Sequence, residues 1–465
     1  MPAPARQVAL DVLIRVEQEG AFAPLALEAV GRRRNLAPRD RRLATELVYG
    51  VLRWQGRLDY LLASFSSRPW HKLSAVVRGA LRLAAYQALF LDSVPAAVAG
   101  SESVALVKRR EPWAAGFVNA VWWAFVRGYR EVAFPDQTRD PDGFIAAWHS
   151  HPRWLVERWR ARWGAEGCAA LCEANNAAPP TTLRVNITRT EPQRLAERLA
   201  QRVAHVERGR LCPTALLLRG SGPIEALPGF GEGHFLVQDE SSQLVAWVVA
   251  PRPGERIADL CAAPGGKSTH LAEQLLAAAE GESRDEGAIF AFDVHPRRMG
   301  LIAQNARRLG VQHLLRLQVA DAARLDPGEV GQFDKVLLDA PCSGTGVLRR
   351  RPDLRWQRRP EEMPALVEAQ RRLLERAAAL VAPGGVLVYA TCSVEPEENE
   401  ENARWFLRTH PDFRPSPLAP YLPAPARERI DASRFALEGS ALQLLPHLDG
   451  CDGFFIFRAV HSPGR

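Results

Sequence analysis

The alternation of short apolar segments with longer amphipathic ones in the second half of the chain constrains its fold more than any other feature. From about residue 236, runs such as "RIADLC", "AIFAFDV" and "KVLLDAP" are separated by segments long enough to form helices. Strands joined by helices require crossover connections, which are right-handed and cover a parallel sheet on both faces. The pattern predicts a doubly wound α/β domain over residues 236–465.

The first part of the chain is predicted to be all-helical. Leu43, Leu47 and Val51 recur at helical spacing, and "LSAVVRGALRLAAYQALFL" and "AGFVNAVWWAFVR" are apolar or amphipathic over helical lengths. The middle of the chain combines a helix, "HPRWLVERWRARWG", with the strand, turn and helix pattern of "PPTTLRVNITRTEPQRLAERLA". We therefore predict an all-α domain over residues 1–135, a small α+β domain over 143–235, and the α/β domain over 236–465.

Charge and cysteine content limit the class of protein. The formal net charge is +7 and most positive residues are arginine, which suits phosphate binding and base stacking. Seven cysteines, an odd number spread over 465 residues, argue against a disulfide framework and favour a reducing compartment. Cys168 and Cys172 could share a helix face, but no second ligand pair completes a zinc set, so we expect no metal.

No stretch of the sequence approaches the roughly 20 uncharged apolar residues that a membrane span needs. The N-terminal segment carries Asp11 and Glu17 among its apolar positions. We therefore expect a soluble, cytoplasmic protein with no membrane partner.

The segment "CAAPGGKST", residues 261–269, resembles a phosphate-binding loop. The P-loop pattern requires a glycine where this chain has Cys261. A nucleotide triphosphatase is therefore a disfavoured alternative. Glycines at the start of a helix also bring backbone amides close to ligands other than a triphosphate.

Four aspartates follow or end predicted strands: Asp259, Asp293, Asp321 and Asp339. Ligands of doubly wound sheets bind at the carboxyl ends of the strands. Any one of these aspartates could simply cap the following helix, but four of them beside a glycine turn favour a ligand site. Asp293 is placed to accept from ribose hydroxyls and Asp321 from an adenine amino group, so the pattern predicts an adenosine-bearing cofactor.

Two cysteines, Cys342 and Cys392, follow the fourth and fifth predicted strands of the domain. A lone cysteine at such a place is more often a small buried filler. Two that face one pocket favour nucleophilic chemistry. The pattern alone leaves open which of the two would be the nucleophile.

In this order and spacing, "DLCAAPGGKST", "LLDAPCSGTGV" and "ATCSVEPEENE" resemble the motifs of the RNA (cytosine-C5)-methyltransferases of the Sun family, which use S-adenosylmethionine. The N-terminal "ELVYGVLR" and "FVNAVWW" are similar to the NusB-like RNA-binding domain of the family's small-subunit ribosomal members. The resemblance covers nearly the whole chain. It implies a Rossmann-like methyltransferase domain, a monomer, and small-subunit (16S) ribosomal RNA, naked or partly assembled, as the substrate.

The resemblance also implies a role for each matching residue. Cys392 would be the nucleophile and Cys342 would assist product release, although the Pro-Cys of DNA cytosine methyltransferases would favour Cys342 as nucleophile. Asp339 would contact N3 of the cytosine, and Lys267 is a candidate activator of the thiol. The predicted cofactor-binding residues are Cys261, Ala262, Ala263, Pro264, Gly265, Gly266, Lys267, Asp293, Arg298, Asp321 and Asp339.

An arginine-rich segment, "GVLRRRPDLRWQRRP" at residues 346–360, directly follows the loop that carries Cys342. Unpaired RNA is commonly held by phosphate contacts and by stacking on aromatic side chains. The predicted RNA-binding residues are Arg349, Arg350, Arg351, Arg355 and Trp356. The alternative interpretation is a solvated loop.

Three other functions compete with a ribosomal RNA methyltransferase. The same chemistry could act on another RNA such as tRNA, or on DNA. A non-enzymatic NusB-like RNA-binding factor would explain the helical N-terminus and the charge. It would leave the two cysteines and four aspartates unexplained.

Overall fold

The computed structural model describes residues 4–279 and 287–462. Two compact units divide the chain: Met1–Ala178 together with Leu348–Pro360, and Pro179–Val347 together with Glu361–Arg465. Within the described ranges, no helix is both long and apolar enough to cross a bilayer.

The first unit is helical, as predicted. Its first eight helices are α1 (Pro4–Glu19), α2 (Ala23–Arg33), α3 (Pro38–Ala63), α4 (Ala75–Phe90), α5 (Ala96–Arg110), α6 (Ala115–Gly128), α7 (Pro141–Trp148) and α8 (Arg153–Asn176). The apolar faces of α1 to α6 share one core, to which Leu47, Val51, Leu81 and Trp122 contribute fully buried side chains. The recurring apolar positions of the sequence are therefore the core positions.

Helix α8 is interrupted at Gly164, whose φ of +70° lies in the left-handed region that favours glycine. The amphipathic helix predicted from "HPRWLVERWRARWG" corresponds to the part of α8 before this break. Beyond it the helix carries Cys168 and Cys172, both fully buried.

The second unit begins with a small α+β arrangement. Strands β1 (Thr181–Val185), β2 (His205–Arg208), β3 (Ala215–Arg219) and β4 (Phe235–Val237) form an antiparallel sheet in the order β2-β3-β1-β4. Helix α9 (Pro192–Ala200) packs on it through Leu195 and Leu199, against Leu183 and Phe235. This confirms the predicted α+β character of the middle segment.

A nine-stranded sheet forms the rest of the second unit. Its strands are β5 (Arg256–Asp259), β6 (Ala288–Asp293), β7 (Leu315–Val319), β8 (Phe333–Asp339), β9 (Val381–Thr391), β10 (Phe413–Pro415), β11 (Phe435–Ala436), β12 (Ala441–Leu444) and β13 (Phe454–His461). The order is β11-β12-β13-β9-β8-β5-β6-β7, with β10 also paired to β13. Strands β5 to β9 are parallel, as predicted, whereas β10 to β13 pair antiparallel. The prediction of a purely parallel sheet missed these last strands, which no long helical crossover separates.

Helices cover both faces of this sheet. They are α10 (Glu240–Val249), α11 (Gly266–Ala279), α12 (Pro296–Leu309), α13 (Pro327–Val330), α15 (Met363–Leu380), α16 (Glu400–Thr409), α17 (Ala424–Arg429) and α18 (Pro446–Asp449). One core contains Leu271 of α11 and Ile302 of α12, and the other contains Leu374 of α15 and Phe406 of α16. The predicted α/β class is confirmed, and the register places the carboxyl ends of the parallel strands along one edge.

The arginine-rich segment Leu348–Pro360, with its short helix α14 (Leu354–Gln357), belongs to the first unit. Arg355 is fully buried, and its Nη1 donates to the carbonyl oxygens of Arg53 and Ser150 and to Oδ1 of Asn176, each at 2.8 Å. Arg349 is only 6% exposed. A guanidinium enclosed by protein cannot reach an RNA phosphate, so the predicted RNA contacts of Arg355 and Arg349 are wrong.

Trp356 is also held inside the first unit. Its indole N–H donates to the carbonyl oxygen of Leu52 at 2.7 Å, and the side chain is half-buried. The indole is thus anchored to α3 through its N–H, and base stacking by Trp356 stays a prediction. RNA binding by Arg350 and Arg351, which are partly exposed, stays a prediction.

Candidate active site at the carboxyl edge of the parallel sheet

The predicted cofactor loop joins β5 to α11 at this edge. Gly265 has a φ of +96°, and a Cβ there would lie 2.9 Å from the Ile302 side chain. Its amide donates to the carbonyl oxygen of Ala262 at 2.7 Å, which closes the turn. The amide of Ala263 donates to Oδ2 of Asp293 at 3.2 Å. Glycine is thus required where the loop passes close to α12, and the loop is tied to the end of β6.

Asp259, the last residue of β5, is fully buried behind this loop. Its Oδ2 accepts from the Ser268 hydroxyl at 2.6 Å, while Oδ1 has no hydrogen-bond partner. Burial raises the pKa of Asp259 to about 7, and the neighbouring Asp339 carboxylate acts in the same direction. Buried polar atoms are almost always paired in native proteins. The unpaired oxygen therefore marks a place where a polar ligand can complete the hydrogen bonding.

Asp293 and Asp321 lie at the ends of the next two strands. Asp293 is 9% exposed and its Oδ1 accepts from the amide of His295 at 2.9 Å. Asp321 is exposed, and its Oδ1 accepts from the amide of Ala323 at 3.0 Å. Both carboxylates thus cap local turns, as the alternative interpretation held, yet each oxygen has a second lone pair for a ligand.

Two of the predicted cofactor residues, Cys261 and Arg298, flank the glycine turn at residues 264–266. Arg298 is exposed in the first turn of α12. Cys261 is partly exposed, and burial raises the pKa of its thiol. Because a thiol with a raised pKa is a poor nucleophile near neutral pH, Cys261 fits a lining role.

Lys267 and Asp339 are paired across the site. The Lys267 ammonium donates to Oδ2 of Asp339 at 2.6 Å, and both side chains are largely buried. The same ammonium lies 5.1 Å from the centroid of the Phe454 ring. The ion pair connects the first turn of α11 to the end of β8, so Lys267 fixes the Asp339 carboxylate.

The sulfur atoms of Cys342 and Cys392 lie 3.4 Å apart, and both residues are partly exposed. Cys392 follows β9, which pairs with β8 so that Asp339 is opposite Ala390. The Cys392 sulfur raises the pKa of the Cys342 thiol well above its ordinary value, and burial adds to the shift. In this pair Cys342 therefore keeps its proton and can donate it to the sulfur of Cys392.

A close backbone contact supports the Cys392 loop. The amide of Gly346 donates to the carbonyl oxygen of Cys392 at 3.0 Å. A Cβ at Gly346 would lie 2.1 Å from the carbonyl oxygen of Gly453. Only glycine fits where these two segments meet.

Two buried charged residues at this edge were not singled out from the sequence. Arg184 of β1 is fully buried, and its Nη2 donates to Glu273 at 2.8 Å and its Nη1 to the carbonyl oxygen of Gly266 at 2.5 Å. The small sheet thus holds the first turn of α11. The sequence offered one indication of this buried charge, the arginine within the otherwise apolar strand segment "TTLRV". The second residue, Glu398, lies within the quoted motif "ATCSVEPEENE", but its partners Ser343 and Gln370 come from distant parts of the chain, so the sequence did not indicate its role.

The arrangement places two adjacent thiols, a carboxylate held by an ammonium, and a loop with an open buried acceptor along one sheet edge. A thiol next to a proton-donating partner can attack an electron-poor carbon and later be released. The carboxylates provide acceptors for hydroxyl and amino groups of a ligand.

Comparisons with known proteins assign a family to each part of the chain. Residues 246–459 match the family described as 16S rRNA methyltransferase RsmB/F. Residues 3–127 match the NusB family, and residues 151–225 match the ferredoxin-like domain of RsmF/B-like methyltransferases. The resemblance found in the sequence motifs is thereby confirmed.

Whole-chain relatives agree with these matches. The chain is 37% identical over 456 residues to the probable ribosomal RNA small subunit methyltransferase B of Bacillus subtilis, with 97% of each chain covered. It is 34% identical over 462 residues to the ribosomal RNA small subunit methyltransferase B of Erwinia tasmaniensis, with 98% of each covered. The crystal structure of PH0851 aligns with a TM-score of 0.79 at 30% identity over 99% of both chains.

Proposed function

The chain belongs to the RsmB/F family of 16S rRNA methyltransferases, and from this we propose that it methylates carbon 5 of a cytosine in small-subunit ribosomal RNA. S-adenosylmethionine is the methyl donor of the family and its cofactor here. The proposal adds to family membership the position of the methyl group and a covalent route through Cys392.

The residues at the sheet edge fit S-adenosylmethionine. Supporting this, Asp259 Oδ1 is a buried acceptor without a partner next to the tight glycine turn. In the proposed assignment, residues 261–267 hold the methionine and ribose side, Asp293 accepts from the ribose hydroxyls and Asp321 from the adenine amino group. When bound, the cofactor supplies an electrophilic methyl group.

Carbon 5 of cytosine is a poor nucleophile, so the chain must first activate the base. In our proposal the Cys392 thiolate attacks carbon 6 and forms a sulfur–carbon bond, while Asp339 lies at N3. Carbon 5 of the adduct becomes electron-rich and takes the methyl group. A base then removes the proton from carbon 5, the sulfur–carbon bond breaks, and Cys392 leaves as a thiolate.

The observation that carries this proposal is the 3.4 Å separation of the two sulfur atoms. The neighbouring sulfur and burial raise the pKa of the Cys342 thiol, which makes Cys342 a poor nucleophile near neutral pH. Cys342 then holds a proton beside the sulfur–carbon bond that must break. This supports Cys392 as the nucleophile and Cys342 as the residue that assists product release.

RNA binding is proposed for the NusB-like part of the first unit, in keeping with the net charge of +7. A basic protein is drawn to the phosphate backbone, and this attraction weakens as salt is added. We propose that the chain acts as a monomer on naked or partly assembled ribosomal RNA. The target cytosine must leave its stack to reach Cys392.

Two measurements test the proposed substrate and position. Bisulfite sequencing of ribosomal RNA from cells with and without the gene is expected to show one or more small-subunit methylcytosines lost on deletion. Purified protein is expected to transfer label from S-adenosylmethionine to ribosomal RNA and not to duplex DNA or tRNA. Unchanged methylcytosines on deletion, or labelled DNA, would contradict the proposal, and no transfer to any substrate would favour a non-enzymatic RNA-binding factor.

A further inference from the structure

We propose that Glu398 is a positioning residue that locks the Cys342 loop and the Cys392 loop together. Its side chain contacts the residues that follow the two cysteines. That the sulfurs of these cysteines react rests on the proposed function, whereas the locking itself is a separate claim about geometry.

Glu398 contacts the residue that follows each cysteine. Its Oε2 accepts from the hydroxyl of Ser343, which follows Cys342, and from the hydroxyl of Ser393, which follows Cys392, the latter at 2.5 Å. Its Oε1 accepts from the backbone amide of Ser343 at 2.8 Å and from the Gln370 side chain at 2.9 Å. One carboxylate thus joins loops that are separated by 50 residues in the chain.

The burial of Glu398 calls for a specific role. Glu398, Ser343 and Ser393 are all fully buried. Burying a carboxylate is costly unless it is fully hydrogen-bonded, and here four donors meet two oxygens. As a carboxylate Glu398 accepts from all four donors, whereas a glutamine would keep one acceptor oxygen and force both serine hydroxyls to turn and accept from its NH₂ group.

Glu398 is itself held from the other side. The Tyr389 hydroxyl donates to the carbonyl oxygen of Glu398 at 2.5 Å. The neighbouring Asn399 donates through Nδ2 to the carbonyl oxygen of Ser393 at 2.9 Å and accepts from the Thr391 hydroxyl at 2.5 Å. The backbone that carries the carboxylate is therefore tied to β9, and displacing either serine requires breaking its bond to the carboxylate.

Two consequences for the thiols follow. The sulfur atoms are kept at 3.4 Å, close enough to share a proton. The negative charge of Glu398 also contributes to the raised pKa of Cys342, which helps to keep the proton on that sulfur. Loss of the carboxylate should affect the alignment of the sulfurs more than the binding of the methyl donor.

The test uses the full-length chain and two independent readouts. Phenylarsine oxide captures two thiols only when both can bond one arsenic atom, so it reports the sulfur geometry without RNA. Methyl transfer to ribosomal RNA gives kcat and the KM for S-adenosylmethionine. Cys342→Ser protein gives the background capture by other cysteines, and Glu401→Gln, an exposed position in α16, is the matched control.

We expect Glu398→Gln to weaken capture by at least about tenfold and to lower kcat by about a hundredfold, since small misplacements of reacting groups cost that much. The KM for S-adenosylmethionine should stay unchanged, and Glu401→Gln should behave as wild type. Wild-type capture and kcat in a folded Glu398→Gln protein would overturn the proposal.

A second set of variants covers the case in which Glu398→Gln does not fold. Ser343→Ala and Ser393→Ala keep the carboxylate and each remove one donor. Their combination is expected to reproduce most of the loss of capture, and unchanged capture in the double variant overturns the locking role. If capture is lost in Glu398→Gln while Cys392→Ser protein still methylates RNA, the locking role stands and the proposed nucleophile is wrong.

Discussion

The chain contains two pairs of neighbouring cysteines in very different surroundings. Cys342 and Cys392 follow adjacent parallel strands of the second unit and are partly exposed. Cys168 and Cys172 lie on α8 of the first unit and are fully buried. In each pair one thiol has its pKa raised partly by the other, Cys342 in one and Cys172 in the other. Proximity and one thiol with a raised pKa are therefore common to both pairs, and the exposure of the thiols separates them.

The largest effect is expected when the exposed pair loses its proposed nucleophile. Cys392→Ser should reduce methyl transfer by at least about a thousandfold, because a hydroxyl is a far weaker nucleophile than a thiolate near neutral pH. Single-turnover transfer of labelled methyl to ribosomal RNA measures this. Cys168→Ser is the matched substitution in the buried pair and should leave the rate within about twofold. Equal losses in both variants would remove the distinction between the pairs.

Loss of the second exposed thiol should have a smaller and different effect. Cys342→Ser is expected to form the covalent adduct but to release product about a hundredfold more slowly, in the range of lost acid–base assistance. A denaturing gel should then show protein retained on RNA. Cys172→Ser should show no retained protein. Wild-type turnover of Cys342→Ser without retained RNA would contradict the role in release.

A substitution of Lys267 tests whether catalysis by the Cys342 and Cys392 pair depends on the ion pair beside it. Lys267→Met removes the ammonium that holds Asp339 at 2.6 Å, so the carboxylate is expected to shift and kcat to fall by about tenfold. Steady-state transfer rates check this against Lys108→Met, which alters an exposed lysine of the first unit. An unchanged kcat would show that Asp339 does not need Lys267 to hold its carboxylate in position.

Asp259 and Asp321 lie at the same sheet edge but differ in burial. We expect this difference to change how the free energy of unfolding depends on pH. Asp259 is fully buried with a pKa raised to about 7, so its stabilising contribution is present below a pH of about 4 and is lost as the pH rises to about 7. Asp259→Asn stays neutral and should gain stability relative to wild type by about 1 kcal/mol per pH unit over that window. Urea unfolding without cofactor measures this. Asp321→Asn, altered at an exposed site, should show no such trend.

The sequence predicted the parts of the fold and site that depend on local pattern. Apolar runs alternating with helices predicted the parallel strands, and the strand-end positions of Asp259, Asp293 and Asp339 follow from that order. To predict that Cys342 and Cys392 follow neighbouring strands, the order of the strands in the sheet must also be known. The order of strands along the chain restricts that sheet order but does not determine it.

Features that depend on distant contacts were not predictable. The arginines of residues 348–360 looked like a phosphate-binding surface, but Arg355 satisfies carbonyl groups of α3 and of the segment before α8. Glu398 belongs to the motif "ATCSVEPEENE", but its contacts with Ser343 and Gln370 depend on the fold and could not be predicted from the sequence. Charge in a sequence signals a surface by default, and only the fold shows which charges are enclosed.

The most direct test of the account is to identify the sulfur that bonds to the base. Ribosomal RNA that carries 5-fluorocytidine has no removable proton at carbon 5, so the adduct should persist after methyl transfer. Digestion with trypsin and nuclease, followed by mass spectrometry, distinguishes the peptide of residues 377–404, which contains Cys392, from that of residues 336–349, which contains Cys342. We predict that the nucleotide is attached to Cys392. Attachment to Cys342, or no attachment despite methyl transfer to unmodified RNA, would contradict the account.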